Sequence, residues 1–170
     1  MPLGKHIVMI RDVKLTDAQP ICDIYNFYIT DTVVTFEEQT LTPSDISQRI
    51  IALQADNYPW LVAIDNNEQL VGYAYAAKWR ERYSFRFTAE VTVYLLPGHS
   101  GKGVGSQLYQ ALFAALKNKG IHRVIGGITL PNPSSVALHE KFAMAKVAHF
   151  SEVGLKFGRW LDVGFWQGNL

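Results

Sequence analysis

The chain has 170 residues, 48% of them apolar, with sixteen basic and fifteen acidic side chains and a formal net charge of +1. That length favours one domain with a sizeable core, and the charge balance argues against a dedicated nucleic-acid binder, which would carry a basic stripe. A single cysteine, Cys22, excludes an internal disulfide and a Cys-based zinc site, and no run of 18 apolar residues is present to span a membrane.

The opening MPLGKHIVMIRD is too short in its apolar part for a signal peptide, so a cytoplasmic location is expected. Ile7 to Arg11 reads as a short strand. Thr16 or Asp17 is expected to cap a helix running to about Thr30; with Asp17 as the cap, Pro20 falls in the first turn, where its missing N–H does no harm. Ile21, Ile24, Tyr25 and Tyr28 form its inward stripe, and Cys22 belongs to the same apolar face. Thr32 to Glu38 is extended or irregular. Thr42-Pro43 starts a second helix with Ile46, Ile50 and Leu53 inward. Trp60 to Ile64 and Gln69 to Ala77 are predicted to pair as a hairpin across Asp65-Asn66-Asn67.

Lys78 to Phe87 breaks the apolar pattern with four basic and four aromatic residues. Thr88 to Leu96 is a long strand rich in Val, Thr and Tyr, stopped by Pro97-Gly98. Gly101, Gly103 and Gly105 follow, and a helix opens through them with Val104, Leu108, Leu112, Ala115 and Leu116 at helical spacing, ending at Gly120. Val124 to Ile128 is a buried strand. Leu130-Pro131-Asn132-Pro133 forces a loop, and Ser134 or Ser135 is expected to cap a short helix to about Phe142. Ala145 to Glu152 and Phe157 to Trp166 close the chain as two strands. The order of elements predicts an α+β or mixed α/β fold in one domain.

The glycine turn is the first candidate site. A helix that begins in glycines offers N–H groups without internal acceptors and the positive end of its dipole, and the absent side chains let a pyrophosphate come close. The plainer reading is a tight turn and nothing more. A P-loop is excluded because Lys102 lies between glycines rather than after the last. A Rossmann fingerprint is disfavoured because its third glycine falls on Ser106 or Leu108 and the motif comes about halfway along the chain.

Three further groups carry chemistry. Glu90 shares a strand face with Thr92 and Tyr94, next to the glycine turn, where a carboxylate can act as a general base; the alternative is a solvent-facing glutamate. His139 lies one helix beyond the proline loop and can exchange a proton near neutral pH, or simply be structural. His6, His99, His122 and His149 lack metal spacing with it, and no metal site is expected. Arg80, Arg82 and Arg86, interleaved with aromatics, suit a small carboxylate or phosphinate-like oxyanion; single-stranded nucleic acid fits less well at near-neutral net charge. No nucleophile elbow is present.

The blocks YPWLVA at 58–63, GYAYAAKWRERYSFRFTAEVTVY at 72–94, the glycine turn, LPNPSSVALHEKF at 130–142 and GRWLDVGFWQ at 158–167 resemble the GNAT N-acetyltransferases, and within them the phosphinothricin and methionine sulfoximine N-acetyltransferases. The resemblance covers Ile10 to Gln167 and implies one acetyltransferase domain over residues 7–170, with a mostly antiparallel central sheet, a splayed strand pair and flanking helices. It implies acetyl-CoA as co-substrate, held by Val93, Tyr94, Leu95, Gly101, Lys102, Gly103, Val104, Gly105, Ser106 and Asn132. The pattern [RQ]-x-x-G-x-[GA] falls on Ser100 to Gly105, with Ser100 in place of Arg or Gln, and Ala143 stands where glycine is common.

By the same resemblance Arg80, Glu81, Arg82, Glu90, Val91 and Thr92 face a small-molecule amine, with Phe36 and Glu37 closing the pocket. Glu90, directly or through a water, is the expected base, and the departing sulfur is either protonated, by His139 or another donor, or stabilised by backbone dipoles. The implied activity is direct N-acetylation of a small amino-acid analogue by a homodimer, through exposed aromatics near Trp160, Phe165 and Trp166. Two alternatives stand: acetylation of a protein N-terminus or polyamine, which the arginine-rich loop disfavours, and a non-catalytic acyl-CoA-binding module.

Overall fold

In the computed structural model, which describes residues 7–170, seven strands form one sheet in the order β1-β2-β3-β4-β5-β7-β6. The strands are β1 (Met9–Asp12), β2 (Trp60–Ile64), β3 (Leu70–Lys78), β4 (Thr88–Leu95), β5 (Arg123–Leu130), β6 (Ala145–Lys156) and β7 (Arg159–Asn169). The helices are α1 (Ala18–Asp31), α2 (Pro43–Ala55), α3 (Val104–Asn118) and α4 (Pro133–Lys141). His6 lies outside the described residues. The mixed α/β architecture is the expected one, and most element boundaries fall within two residues of the sequence reading.

Two cores sandwich the sheet. On one face α1 and α2 bury Ile21, Ile24, Ile46 and Ile50 against Trp60, Val62 and Tyr73. On the other, α3 buries Val104, Leu108, Leu112 and Leu116 with no exposed area against Val71, Ala74, Val91 and Val124. Each such side chain contributes about 1.5–3 kcal/mol relative to solvent exposure. Consecutive β4 residues serve different layers: Val91 and Val93 pack on the α3 side, while Tyr94 packs with α1.

Pairing is antiparallel except between β4 and β5, which run parallel from Thr88↔Arg123 to Glu90↔Ile125 and then part. Beyond Glu90, β4 continues to pair with β3 as far as Leu95↔Gly72, while β5 continues with β7 as far as Leu130↔Asp162. The sheet therefore opens as a V whose apex is Glu90, and among the described residues the inner edge of Val91–Leu95 has no strand partner.

Several local expectations are corrected. Asp17 precedes α1, but its carboxylate makes no cap bond to the helix; it accepts from Lys14 N (2.7 Å) and from both Arg11 nitrogens (2.7 and 2.8 Å). Asn132, not Ser134 or Ser135, caps α4 by accepting from Ser135 N at 3.2 Å. Thr42 caps α2 as the Thr-Pro pair predicts, in a reciprocal box with Asp45. The last two strands run longer than expected, joined at Phe157 and Gly158, both with positive φ (51° and 70°), as a two-residue primed turn requires. A bulge at Glu152 (φ 49°) bends β6; Asp162 holds it by accepting from Glu152 N at 2.8 Å. Trp166 is 3% exposed and belongs to the core, so of the aromatics expected at a subunit contact only Trp160 stands well out, at 61%.

Candidate active site

At the tip of the V, Gly98, Gly101 and Gly103 have φ of 84°, 78° and 82°, the left-handed region in which a side chain strains the backbone. No atom lies within 4 Å of a Cβ placed on Gly101 or Gly103, so conformation rather than crowding requires glycine there. Gly103 is the N-cap of α3, and the first helical turn closes with Gln107 N donating to Gly103 O at 3.1 Å. The N–H groups of Val104, Gly105 and Ser106 accordingly have no acceptor within the helix. Gly105 answers a different demand: a Cβ there would lie 3.2 Å from Leu138 Cδ2, so its absence lets α4 close on α3.

A cavity of about 460 Å³ extends from this turn along the open edge of β4, between α3 and α4. Of the residues expected to hold a cofactor, Val93, Tyr94, Leu95, Gly101, Gly103, Gly105, Ser106 and Asn132 line it. Lys102 and Val104 do not: Lys102 is exposed, and the Val104 side chain is fully buried in the core, leaving only its main chain to offer. Lys141 at the end of α4, which the sequence reading missed, donates to Ser106 Oγ at 2.9 Å and adds a positive charge at the mouth. Free N–H donors, the positive end of α3 and a lysine together suit a diphosphate.

The second cavity, about 300 Å³, occupies the V itself. Glu90, Val91 and Thr92 border it, as expected, although the Val91 side chain packs in the core so that its main chain is what it presents. The opposite walls are Val34–Phe36 from the loop after α1, Gly127–Thr129 of β5, and Tyr109 with His139. Val93, Tyr94 and Asn132 border both cavities, so the glycine turn and Glu90 serve one continuous cleft. Burial pushes the Glu90 carboxyl above its usual range, with Arg80 pulling in the opposite direction. A carboxylate so placed is a stronger base than an exposed one.

His139 reaches the cleft because Gly126 makes room: a Cβ on Gly126 would overlap the imidazole. The ring is 3% exposed; Nδ1 lies 2.7 Å from Ser135 O and Nε2 lies 3.0 Å from the Tyr109 hydroxyl. A carbonyl can only accept, so Nδ1 carries the proton and Nε2 accepts from Tyr109. Burial lowers the His139 pKa, which keeps the ring neutral. In this geometry both ring nitrogens are already engaged, Nδ1 by Ser135 O and Nε2 by the Tyr109 hydroxyl.

The arginine loop sits at the rim. The Arg80 guanidinium lies 4.4 Å over the Trp79 ring, and Trp79 meets Phe165, which lines the cavity, edge-on at 5.8 Å. Glu81 and Arg82 are exposed and outside the cavity wall; Glu81 approaches Lys78 at 3.9 Å on the surface. Phe36 does line the cavity, whereas Glu37 is held away by Arg49 (2.5 and 3.1 Å) and by the Tyr25 hydroxyl.

The Acetyltransferase (GNAT) family model matches residues 21–144. The chain is 36% identical over 166 residues to the phosphinothricin N-acetyltransferase of Streptomyces coelicolor, covering 96% of this chain and 97% of that protein. It is 37% identical over 164 residues to the L-methionine sulfoximine/L-methionine sulfone acetyltransferase of Pseudomonas aeruginosa, covering 95% and 94%. Among solved structures, the phosphinothricin acetyltransferase of Sinorhizobium meliloti in complex with acetyl-CoA superposes with a TM-score of 0.93 at 33% identity, covering 96% of this chain and 88% of that one.

Proposed function

The chain belongs to the GNAT acetyltransferase family, and from that premise we propose that it transfers the acetyl group of acetyl-CoA directly to the α-amine of a small amino-acid analogue of the phosphinothricin, methionine sulfoximine or methionine sulfone type. The observation that carries this reading is the continuity of the two cavities across Val93 and Tyr94, which puts a diphosphate cradle and a buried carboxylate on one cleft.

In this reading the N–H groups at the start of α3, with Lys141, hold the diphosphate, and the strand-free edge of Val93–Leu95, where the Leu95 carbonyl also accepts from the Tyr28 hydroxyl at 2.6 Å, hydrogen-bonds the pantetheine arm as an added strand would. Arg80 draws the substrate's acidic group to the rim; Arg82 and Glu81 act further out, and Lys102 contributes charge at most. Glu90 removes the amine proton. A free α-amine has a pKa of about 7.7–8.0, so a modest base suffices. The neutral amine attacks the thioester carbonyl, the C–N bond forms and the C–S bond breaks. The ammonium's first proton leaves to solvent through Glu90; the attacking nitrogen sheds a second as the amide forms, and with a thiol pKa of about 8.5 that one passes downhill from the Glu90 carboxyl to the departing sulfur, so the count closes without an acid from His139. His139 instead holds Tyr109 and the start of α4 in the cleft wall.

No helix among the described residues is long and apolar enough to cross a membrane. The exposed apolar side chains of β6 and β7 support a homodimer. Incubation of the protein with acetyl-CoA and each of the three analogues, followed by thiol titration, tests the assignment: free CoA is expected with at least one. Absence of thiol release with all three, while peptide N-termini or polyamines react, would move the substrate to another class.

A further inference from the structure

The loop that closes the amine cavity, residues 34–36, is held by a strand that does not touch the cavity. The Thr35 hydroxyl is 2.8 Å from the Tyr25 hydroxyl, and the Thr35 carbonyl accepts from Lys156 Nζ at 2.7 Å. Lys156 is the last residue of β6 and is 1% exposed; its ammonium also reaches Tyr28 O at 3.5 Å. A buried ammonium is costly unless its donors are satisfied, so its placement on two carbonyls fixes the loop rather than leaving it free to sample positions. Two residues earlier, Gly154 receives the Phe36 ring: a Cβ there would come within 2.5 Å of Phe36 Cζ and 2.8 Å of Cδ1. Gly154 has no positive φ, so close approach, not backbone conformation, makes the missing side chain matter. The bulge at Glu152, fixed by Asp162, turns β6 so that both residues meet the loop.

We propose that Gly154 and Lys156 are positioning residues that set which amines the site accepts, acting through Phe36 and Thr35. The inference rests on the acetyltransferase reading above. The ring that fills the space over Gly154 is also amine-cavity wall and does not line the cofactor cavity, so displacing it from β6 reshapes the amine side of the cleft first.

The test is a double-mutant cycle on the full chain, with wild type assayed first. Gly154→Ala is expected to raise the amine KM about tenfold or more while the acetyl-CoA KM stays within twofold. In a Phe36→Ala background, where the ring is gone, adding Gly154→Ala is expected to change the amine KM less than twofold, a non-additivity that a general loss of stability does not produce. Lys156→Met, which keeps the stem and removes the donor, is expected to raise the amine KM severalfold with acetyl-CoA KM unchanged, and it decides the matter if Gly154→Ala does not fold. An unchanged amine KM in Gly154→Ala, an equal penalty with and without Phe36, or parallel rises in both KM values overturns the proposal. Failure of the wild-type enzyme to acetylate any analogue overturns the functional reading instead, so the two failures are distinct.

Discussion

Glu90 is where one side chain is asked for two incompatible things. Its folded pKa lies above the ordinary carboxylate value because burial penalises the charged form. The folded state therefore binds the proton more tightly than the unfolded chain, and stability is lost as pH rises through the carboxylate range. Catalysis needs the ionised form and so tolerates that loss. Glu90→Gln is expected to lower kcat by about 10²–10⁴-fold and to remove the acidic limb of the pH–rate profile, while melting at a higher temperature than wild type at pH 7. A variant with wild-type kcat defeats the base assignment. His139 has the opposite sign: its folded pKa is depressed by burial, so its contribution is present above about pH 6.5 and is lost as pH falls below that value. The drop in wild-type melting temperature between about pH 6.5 and 5 is expected to be shallower in His139→Gln, which a thermal-shift series measures; equal slopes refute the neutral, buried ring. The residue type at 139 was legible in the chain, but its role was not. The acceptor state of Nε2 depends on Tyr109, thirty residues away and one position off the apolar stripe that marks α3.

At the scale of elements, the parts readable from sequence were those whose signals are local. The Thr42-Pro43 helix start, the Trp60–Ile64 strand and the stop at Gly120 each rest on a few adjacent residues, and each appears where expected. What was not legible depends on tertiary contact. Asn132 takes the α4 cap from two nearby serines, and Phe157 turns the last hairpin with no glycine or asparagine at its own position to announce it. The V between β4 and β5 came only from family likeness, because strand parting leaves no mark in composition. Ala143 is an intermediate case. The missing glycine after α4 suggested a strained position, and the alanine does adopt φ 57°, with its N–H donating to Glu140 O at 3.0 Å to end the helix. Its side chain is exposed, so nothing is gained by keeping it. Left-handed alanine costs about 1–2 kcal/mol. Ala143→Gly is therefore expected to stabilise the protein by about 1 kcal/mol, or roughly 2–4 °C in melting temperature, with KM values unchanged; a lower melting temperature shows that the turn is not strained.

For the whole molecule, the question is what covers the far end of the sheet. β6 is the terminal strand, so one side of its backbone has no strand partner among the described residues, and it is a long strand rather than a blunted one. Val147, Phe150, Val153, Leu155, Phe157 and Trp160 are each half or more exposed on this one hairpin. A soluble chain seldom leaves so many large apolar groups together on its surface. A second copy of the same hairpin supplies a partner of the same chemistry, and a two-fold contact closes without leaving an edge for further growth. The hairpin also carries Gly154 and Lys156, so the surface proposed to join two copies is continuous with the brace behind the amine cavity. The wild-type protein is expected to elute with the mass of two 19.1 kDa chains in light scattering at micromolar concentration, and Trp160→Glu, which places a charge in the contact, to elute as one. Because β6 then loses its support, the monomeric variant is expected to show a raised amine KM with acetyl-CoA binding retained by calorimetry. A wild-type protein of single-chain mass refutes the dimer, whereas a monomeric variant with wild-type amine KM separates assembly from the site and leaves the brace a property of each chain alone.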